Sequence, residues 1–348
     1  MLDRVRQRQK EATSQAKGHH PSWRWQCHVA LVALLTSYGF LAGFTSATDF
    51  ARPIRIGALT ESWGPTPEIV GLRDGLLELG YREHEQFTIG VRFTRGDVAA
   101  LLGAARELAE YEVDLIFASD ILSAQAAQRA TNRIPIVFAG VGDPLGFGLI
   151  KSLARPGGNI TGVTHLEPDL GAKRLEVFRD IVPSLKRVLF AYNPADGSAV
   201  AAARTYREAA SRLGIVLVEQ KVHTQEEAQA TLARVRKGAM DGMLKPPGIS
   251  LNIPGFILEA SIQQQIPSMF DGAFWVERGG LASYGPDYYD TGRQAARLVD
   301  KILKGAKAAE IPVEVNSKIE LAINVQAAKS LGLTIAPEVL YQANQLIR

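Results

Sequence analysis

Cysteine is nearly absent: Cys27 alone stands in 348 residues. No disulfide can therefore form within the chain, and export cannot be argued from cysteine pairs. Histidine is almost as scarce. Beyond residue 47 only His84, His165 and His223 remain, far apart in sequence and without an H-E-x-x-H pair. Metal binding and a His-based triad lose their support, and the expectation is no metal and no cofactor. No G-x-x-x-x-G-K-[ST] loop occurs. Gly140-Val-Gly142-Asp-Pro144-Leu-Gly146 is spaced one residue away from a dinucleotide fingerprint, with Pro144 where close helix entry is needed. Gly280-Leu-Ala-Ser283-Tyr-Gly285 misses the nucleophile elbow by one position. These gaps disfavour an enzyme.

A basic surplus is missing too, once the first residues are set aside. Arg4, Arg6, Arg8, Lys10, Lys17 and Arg24, with Asp3 and Glu11, precede residue 48. Six of 39 basic and two of 36 acidic residues thus leave 33 against 34 in the remainder. Nothing basic is left to argue for nucleic acid. The only sustained apolar run, Val29–Phe44, has 16 residues, short of the roughly 20 that span a bilayer as a helix. It follows the basic stretch and precedes Thr45-Ser46-Ala47, which predicts a cleaved secretory leader over 1–47 and a periplasmic location. An uncleaved anchor is the alternative. Cys27 lies ahead of the apolar run, the wrong side for a lipid-anchoring cysteine.

What is present organises itself around Ile134 to Leu166. Two β-branched apolar runs, Ile134–Val141 and Asn159–Leu166, flank a Gly- and Pro-rich loop, as two buried strands would. Upstream, the patterning predicts strands over Ile54–Thr60, Phe87–Thr94 and Asp114–Ser119. Helices alternate with them over Pro65–Leu79, Val98–Tyr111 and Ile121–Thr131. After Leu166 the alternation restarts. Helices are expected over Asp169–Val182, Ser198–Leu213, Gln225–Lys237, Leu251–Gln265 and Asp287–Lys304. Strands fall over Arg187–Asn193, Ile215–Val222, Gly242–Lys245, Pro267–Asp271 and Leu281–Tyr284, and Pro312–Asn324 reads as one long extended segment. The fold class is α/β, two Rossmann-like lobes with parallel sheets joined by a multi-strand hinge. Residues 52–164 and 286–348 make lobe 1, and residues 165–285 make lobe 2.

Ligands of open α/β sheets sit beyond the carboxyl ends of the strands. Candidates there are Thr60, Ser62 and Trp63, then Ser119, Asp120 and Ser123, then Gly142, Asp143 and Thr164. From the second half come Asn193, Asp196, Pro246, Asp271 and Phe274. The helix starting near Ser123 is the first choice for cradling a carboxylate, through its free N–H groups and dipole. Ser123 and Asp196 read equally as plain N-caps, Asp143 as a turn residue before Pro144. Trp63 and Phe274 either stack on a ligand or seal the core. Asp271 either pairs with a ligand ammonium or caps the next helix.

Three stretches carry a resemblance. They are the segment from Phe138 to Glu176, the segment GGLASYGPDYYDTGRQAARLVDKILKGAKAAEIPVE, and the tail IELAINVQAAKSLGLTIAPEVL. Together they resemble ABC-transporter substrate-binding proteins of the tryptophan/tyrosine type, over roughly Arg52 to Arg348. The resemblance implies a type I periplasmic-binding-protein-like fold. It also implies a non-enzymatic, monomeric receptor that takes a small molecule, amino-acid-like among the options, and presents it to ABC permease subunits. A sensor feeding a signalling receptor is the alternative. A transcription regulator would need DNA-binding helices where the predicted leader stands. Where relatives carry Ser, Glu, Ala or Asn after the strand at Arg187–Asn193 and an Asp-containing loop later, this chain has Asn193-Pro194-Ala195-Asp196 and Lys245-Pro246-Pro247. A partner for a ligand ammonium is not evident at Lys245, which leaves the ligand class open.

Overall fold

The computed structural model describes residues 52–165 and 167–348, which lie in one compact unit, Ala47–Arg348. The predicted leader falls outside the described residues. In chain order the first half runs β1 (Ile54–Thr60), α1 (Pro67–Glu78), β2 (Phe87–Phe93), α2 (Leu101–Glu110), β3 (Leu115–Ala118), α3 (Ile121–Ala130), β4 (Ile136–Val141) and β5 (Ile160–Thr164). The second continues α4 (Glu167–Ile181), β6 (Arg187–Tyr192), α5 (Gly197–Leu213), β7 (Val216–Lys221), α6 (Gln225–Ala233), β8 (Gly242–Leu244), α7 (Ile253–Gln264), β9 (Ser268–Phe270), α8 (Ala273–Val276) and β10 (Ala282–Pro286). The chain finishes α9 (Tyr288–Leu303), β11 (Glu314–Val315), β12 (Ile319–Asn324), α10 (Val325–Ser330), α11 (Pro337–Gln342) and β13 (Gln345–Ile347).

Two sheets result. The first has the order β2-β1-β3-β4-β5-β11, with every pairing parallel. The second has the order β7-β6-β8-β9-β10-β12-β13, parallel except for the antiparallel β10–β12 pair. Each opens with the same winding: first strand inside, second at the edge, the third returning to the first strand's other side. In each sheet that reversal opens a crevice at the carboxyl ends, beside β1/β3 and beside β6/β8. Parallel strands covered on both faces need apolar residues throughout, and β3, β5, β8 and β9 are buried at every position. Helices α1 and α9 cover one face of the first sheet and α2 and α3 the other. Helices α4 and α5 cover one face of the second, α6 and α7 the other.

The chain passes between the sheets three times: from β5 into α4, from β10 into α9, and from β11 to β12. Asn316 ties the three passages. Its N–H donates to the Thr164 carbonyl (2.7 Å), and its Nδ2 donates to the Asp287 carbonyl (3.0 Å) and to Thr291 Oγ1 (2.8 Å). The extended segment read over Pro312–Asn324 therefore splits, one part pairing with β5 and the other with β10. Residues 286–348, all placed with lobe 1 from the sequence, divide in the same way. Helix α9 and β11 stay with the first sheet, whereas β12 and β13 complete the second. The reason is β10. It ends the parallel run with an edge that β12 pairs, and Leu321 and Ile323 are buried there in the second sheet's core.

Candidate functional site

Strand ends of both sheets converge on a cavity of about 520 Å³. Thr60, Ser62 and Trp63 reach it from the end of β1, Ser119 and Asp120 from β3, and Asp271 and Phe274 from β9. Gly142 and Asp143 line a smaller neighbouring cavity of about 80 Å³ between β4 and α5. Seven of the fourteen residues singled out in the sequence thus share the larger cavity and two the smaller. The other five do not line either one.

Their side chains have internal work. Ser123 is fully buried and its hydroxyl donates to Asp120 Oδ2 (2.7 Å), while Asp120 Oδ1 accepts from the Ser123 N–H (2.7 Å). Asp120, not Ser123, is the N-cap of α3. The dipole end expected to cradle a ligand carboxylate already holds this chain's own acid. Thr164 Oγ1 donates to the Val141 carbonyl (2.7 Å), bridging β5 and β4. Asn193 Nδ2 donates to Ser250 Oγ (3.0 Å). Asp196 caps α5, accepting from Ser198 N (2.9 Å) and Oγ (2.6 Å). Pro246 contributes a carbonyl to Lys245 rather than a face to the cavity. Asp143, though at the smaller cavity, closes a turn by accepting from Gly146 N (2.7 Å).

Asp271 departs from its reading as a helix cap. Helix α8 begins at Gly272 with no side-chain cap. Asp271 Oδ2 instead accepts from Lys245 Nζ (2.7 Å) and from the Tyr288 hydroxyl (3.2 Å). Lys245 is 2% exposed and donates further to the carbonyls of Pro246 and Gly248, each at 2.8 Å. Its three protons are all used.

Several wall residues lie outside the strand-end loops and were missed for that reason. Glu68, in the first turn of α1, is 6% exposed. Burial pushes its acid up to about 7, against relief from its own N–H and the Thr66 hydroxyl, with Asp120 and Asp271 adding to the rise. Tyr288 opens α9 and stands edge-on to His165, ring centres 5.9 Å apart. Burial, and then Asp271, raise its phenol well above the ordinary range. Trp275 stacks on Phe270 (5.7 Å), and the Arg278 guanidinium lies 3.4 Å from the centre of the Phe274 ring. The Pro67-Glu68 pair at a helix start and the Tyr288-Tyr289 pair after Asp287 were the available signals. Behind the wall, Glu61 is buried with Oε2 lacking a hydrogen-bond partner among the described residues, and burial, Asp120 and Asp196 push its acid well up. Among the described residues no set of three His, Cys, Asp or Glu could hold a metal ion.

Flat rings, buried carboxylates and a neutralised lysine on two facing sets of strand ends suit a small molecule with an apolar body and one polar, hydrogen-bonding end.

The profile of the family described as ABC transporter substrate binding protein matches residues 59–347. A tyrosine-binding protein of Clostridioides difficile is 28% identical over 265 residues, 76% of each chain. An ABC domain solved in complex with L-Trp, from Streptococcus pneumoniae, is 27% identical with a TM-score of 0.76. The likeness covers 85% of this chain and 100% of that one. A conserved domain protein from Vibrio cholerae is 30% identical with a TM-score of 0.74 and the same coverage.

Proposed function

This chain belongs to the family of ABC transporter substrate-binding proteins, and from that premise we propose that its cleft takes up a small molecule of the amino-acid kind and delivers it to a membrane permease. Proteins of this family bind rather than transform, and they work outside the cytoplasm. The observation that carries the reading is the larger cavity, where Trp63, Phe274 and Tyr288 stand with the carboxylates of Glu68, Asp120 and Asp271. Rings offer flat area for an aromatic or apolar body. Carboxylates in a water-poor wall suit a protonated amine. An aromatic amino acid, the ligand named for two of the relatives, has both parts.

Residues 52–164 with 286–318 form one lobe in this reading, and 165–285 with 319–348 the other. A ligand held by both stabilises the closed arrangement, which the permease recognises, so transport rests on a population shift. The receptor acts as a monomer in the periplasm after loss of residues 1–47. Thermal unfolding of the purified protein against a panel of amino acids tests the reading. At least one should raise the midpoint by about 5 °C at a hundredfold excess over its Kd, and mass spectrometry should recover it unchanged. A panel without any shift overturns the proposal.

A further inference from the structure

Five charged side chains line the larger cavity: Glu68, Asp120, Asp271, Lys245 and Arg278. Their partners sort them. Lys245 and Asp271 are joined at 2.7 Å, and the lysine's other protons go to two carbonyls. Arg278 is exposed and rests on the Phe274 ring, donating to the Phe274 carbonyl (2.9 Å). Asp120 has one oxygen on the Ser123 N–H and the other on the Ser123 hydroxyl. Glu68 takes part in no ion pair among the described residues. Its own N–H and the Thr66 hydroxyl relieve it, and a Cβ at Gly140 would sit 3.0 Å from Glu68 Oε1, so the carboxylate lies over the backbone of β4.

We propose that Glu68, and not Asp271, receives the amine of the ligand in this chain, Lys245 serving as a built-in ammonium that already occupies Asp271. This rests on the reading of the cleft as an amine-binding receptor site and names the residue that sets its specificity. A second cation brought to Asp271 would have to compete with Lys245 for a carboxylate already paired at 2.7 Å, and taking that carboxylate would leave a buried lysine without its counter-charge, which is costly. At Glu68 an incoming ammonium meets a carboxylate with no rival cation. Asp120, Asp271 and Tyr288 face it from the neighbouring elements and add only negative or neutral character. The burial that raises the Glu68 acid is then offset by the ligand, which holds the carboxylate ionised. The preferred class is a primary amine on an aromatic or apolar body, its carboxylate being secondary.

Three probes separate the possibilities by calorimetry: L-tryptophan, tryptamine, which lacks the carboxylate, and 3-indolepropionate, which lacks the amine. Wild-type protein should bind the two amines, and Glu68→Gln should weaken both about ten- to a hundredfold while leaving 3-indolepropionate unchanged. Asp271→Asn should weaken the amines less than Glu68→Gln does. Since that substitution strands Lys245, the wild-type pH profile gives an independent reading. Tryptamine affinity should fall about tenfold per pH unit below about 7, with no matching fall for 3-indolepropionate. Loss of the amines in Asp271→Asn but not in Glu68→Gln, or a flat tryptamine profile, overturns the assignment to Glu68. Binding of 3-indolepropionate alone overturns the amine inference and leaves the receptor standing. Silence from all three overturns the assignment to Glu68, and the amino-acid panel then decides the receptor reading.

Discussion

A Cβ placed on Gly71 would collide with the carbonyl oxygen of Tyr289, and one on Gly292 with that of Glu68. Helices α1 and α9 therefore cross with backbone against backbone, although more than two hundred residues separate them in sequence. One helix carries Glu68 and the other begins at Tyr288, so this crossing sets the spacing of two cavity walls.

Gly71→Ala should destabilise the protein by about 1–3 kcal/mol or more, since neither backbone can yield without moving the other. Denaturant melts check this, and calorimetry should show weakened ligand binding as well. Gly103→Ala is the control. Open space surrounds that position in α2, and alanine there should be neutral or stabilising by up to about 1 kcal/mol.

Trp63 is 44% exposed, and its ring edge lies 2.7 Å from where a Cβ on Gly96, in the loop after β2, would be. An alanine at this position should remove ligand contact area and little else. Affinity should drop by about 1.5–3 kcal/mol, with the unliganded melting temperature within about 1 °C of wild type. A fall of several degrees without ligand would show the indole to be part of the core.

Glu68 makes stability depend on pH in a defined direction. Its folded acid sits near 7 against an ordinary value of 4.5, so the folded state holds a proton that the unfolded chain has released. Between about pH 4.5 and 7 stability should decline as pH rises, by up to about 3 kcal/mol in all from this group. Glu68→Gln should flatten that part of the profile and be the more stable protein at pH 8. Urea melts from pH 5 to 8 measure it, and parallel profiles would refute the assignment.

Arg174 is wholly buried, its Nη1 on Glu167 Oε1 (2.5 Å) and on the Tyr206 hydroxyl (2.6 Å), its Nε on the Tyr284 carbonyl (2.6 Å). Despite burial, Arg174 holds the Glu167 carboxyl far below its usual range, with His165 helping. A depressed acid adds stability above its ordinary pKa and loses it as pH falls. Glu167→Gln, which strands the arginine, should cost about 3–5 kcal/mol at pH 7, and somewhat less at pH 3, where the folded carboxyl is still ionised but the unfolded one has taken up its proton. Chemical denaturation at the two pH values distinguishes this from a purely steric effect.

Much of the architecture was legible because strand and helix differ in period. The runs Ile54–Thr60, Arg187–Asn193 and Ser198–Leu213 fall within a residue or so of β1, β6 and α5. Short elements were not: β13 and α11 carry too few residues for any period, and they owe their form to pairing with β12 and packing on the second sheet. In the cleft, looking beyond strand ends found Thr60, Ser62, Trp63, Ser119 and Asp271. It passed over Glu68 and Tyr288, which enter from helix starts and reach the wall only through the α1–α9 crossing. Lys245 was visible, but its role was not, since a lysine and an aspartate 26 positions apart show no sign in sequence of being partners.

The knot at Asn316 has a mechanical consequence. Three chain segments fastened at one residue behave as a leaf spring clamped along a line, supple to bending about that line and stiff to sliding or torsion. In the proposed reading, whatever enters the gap is then sensed as an angle, so a docking permease that gauges one angle learns whether the receptor is loaded without touching the cargo.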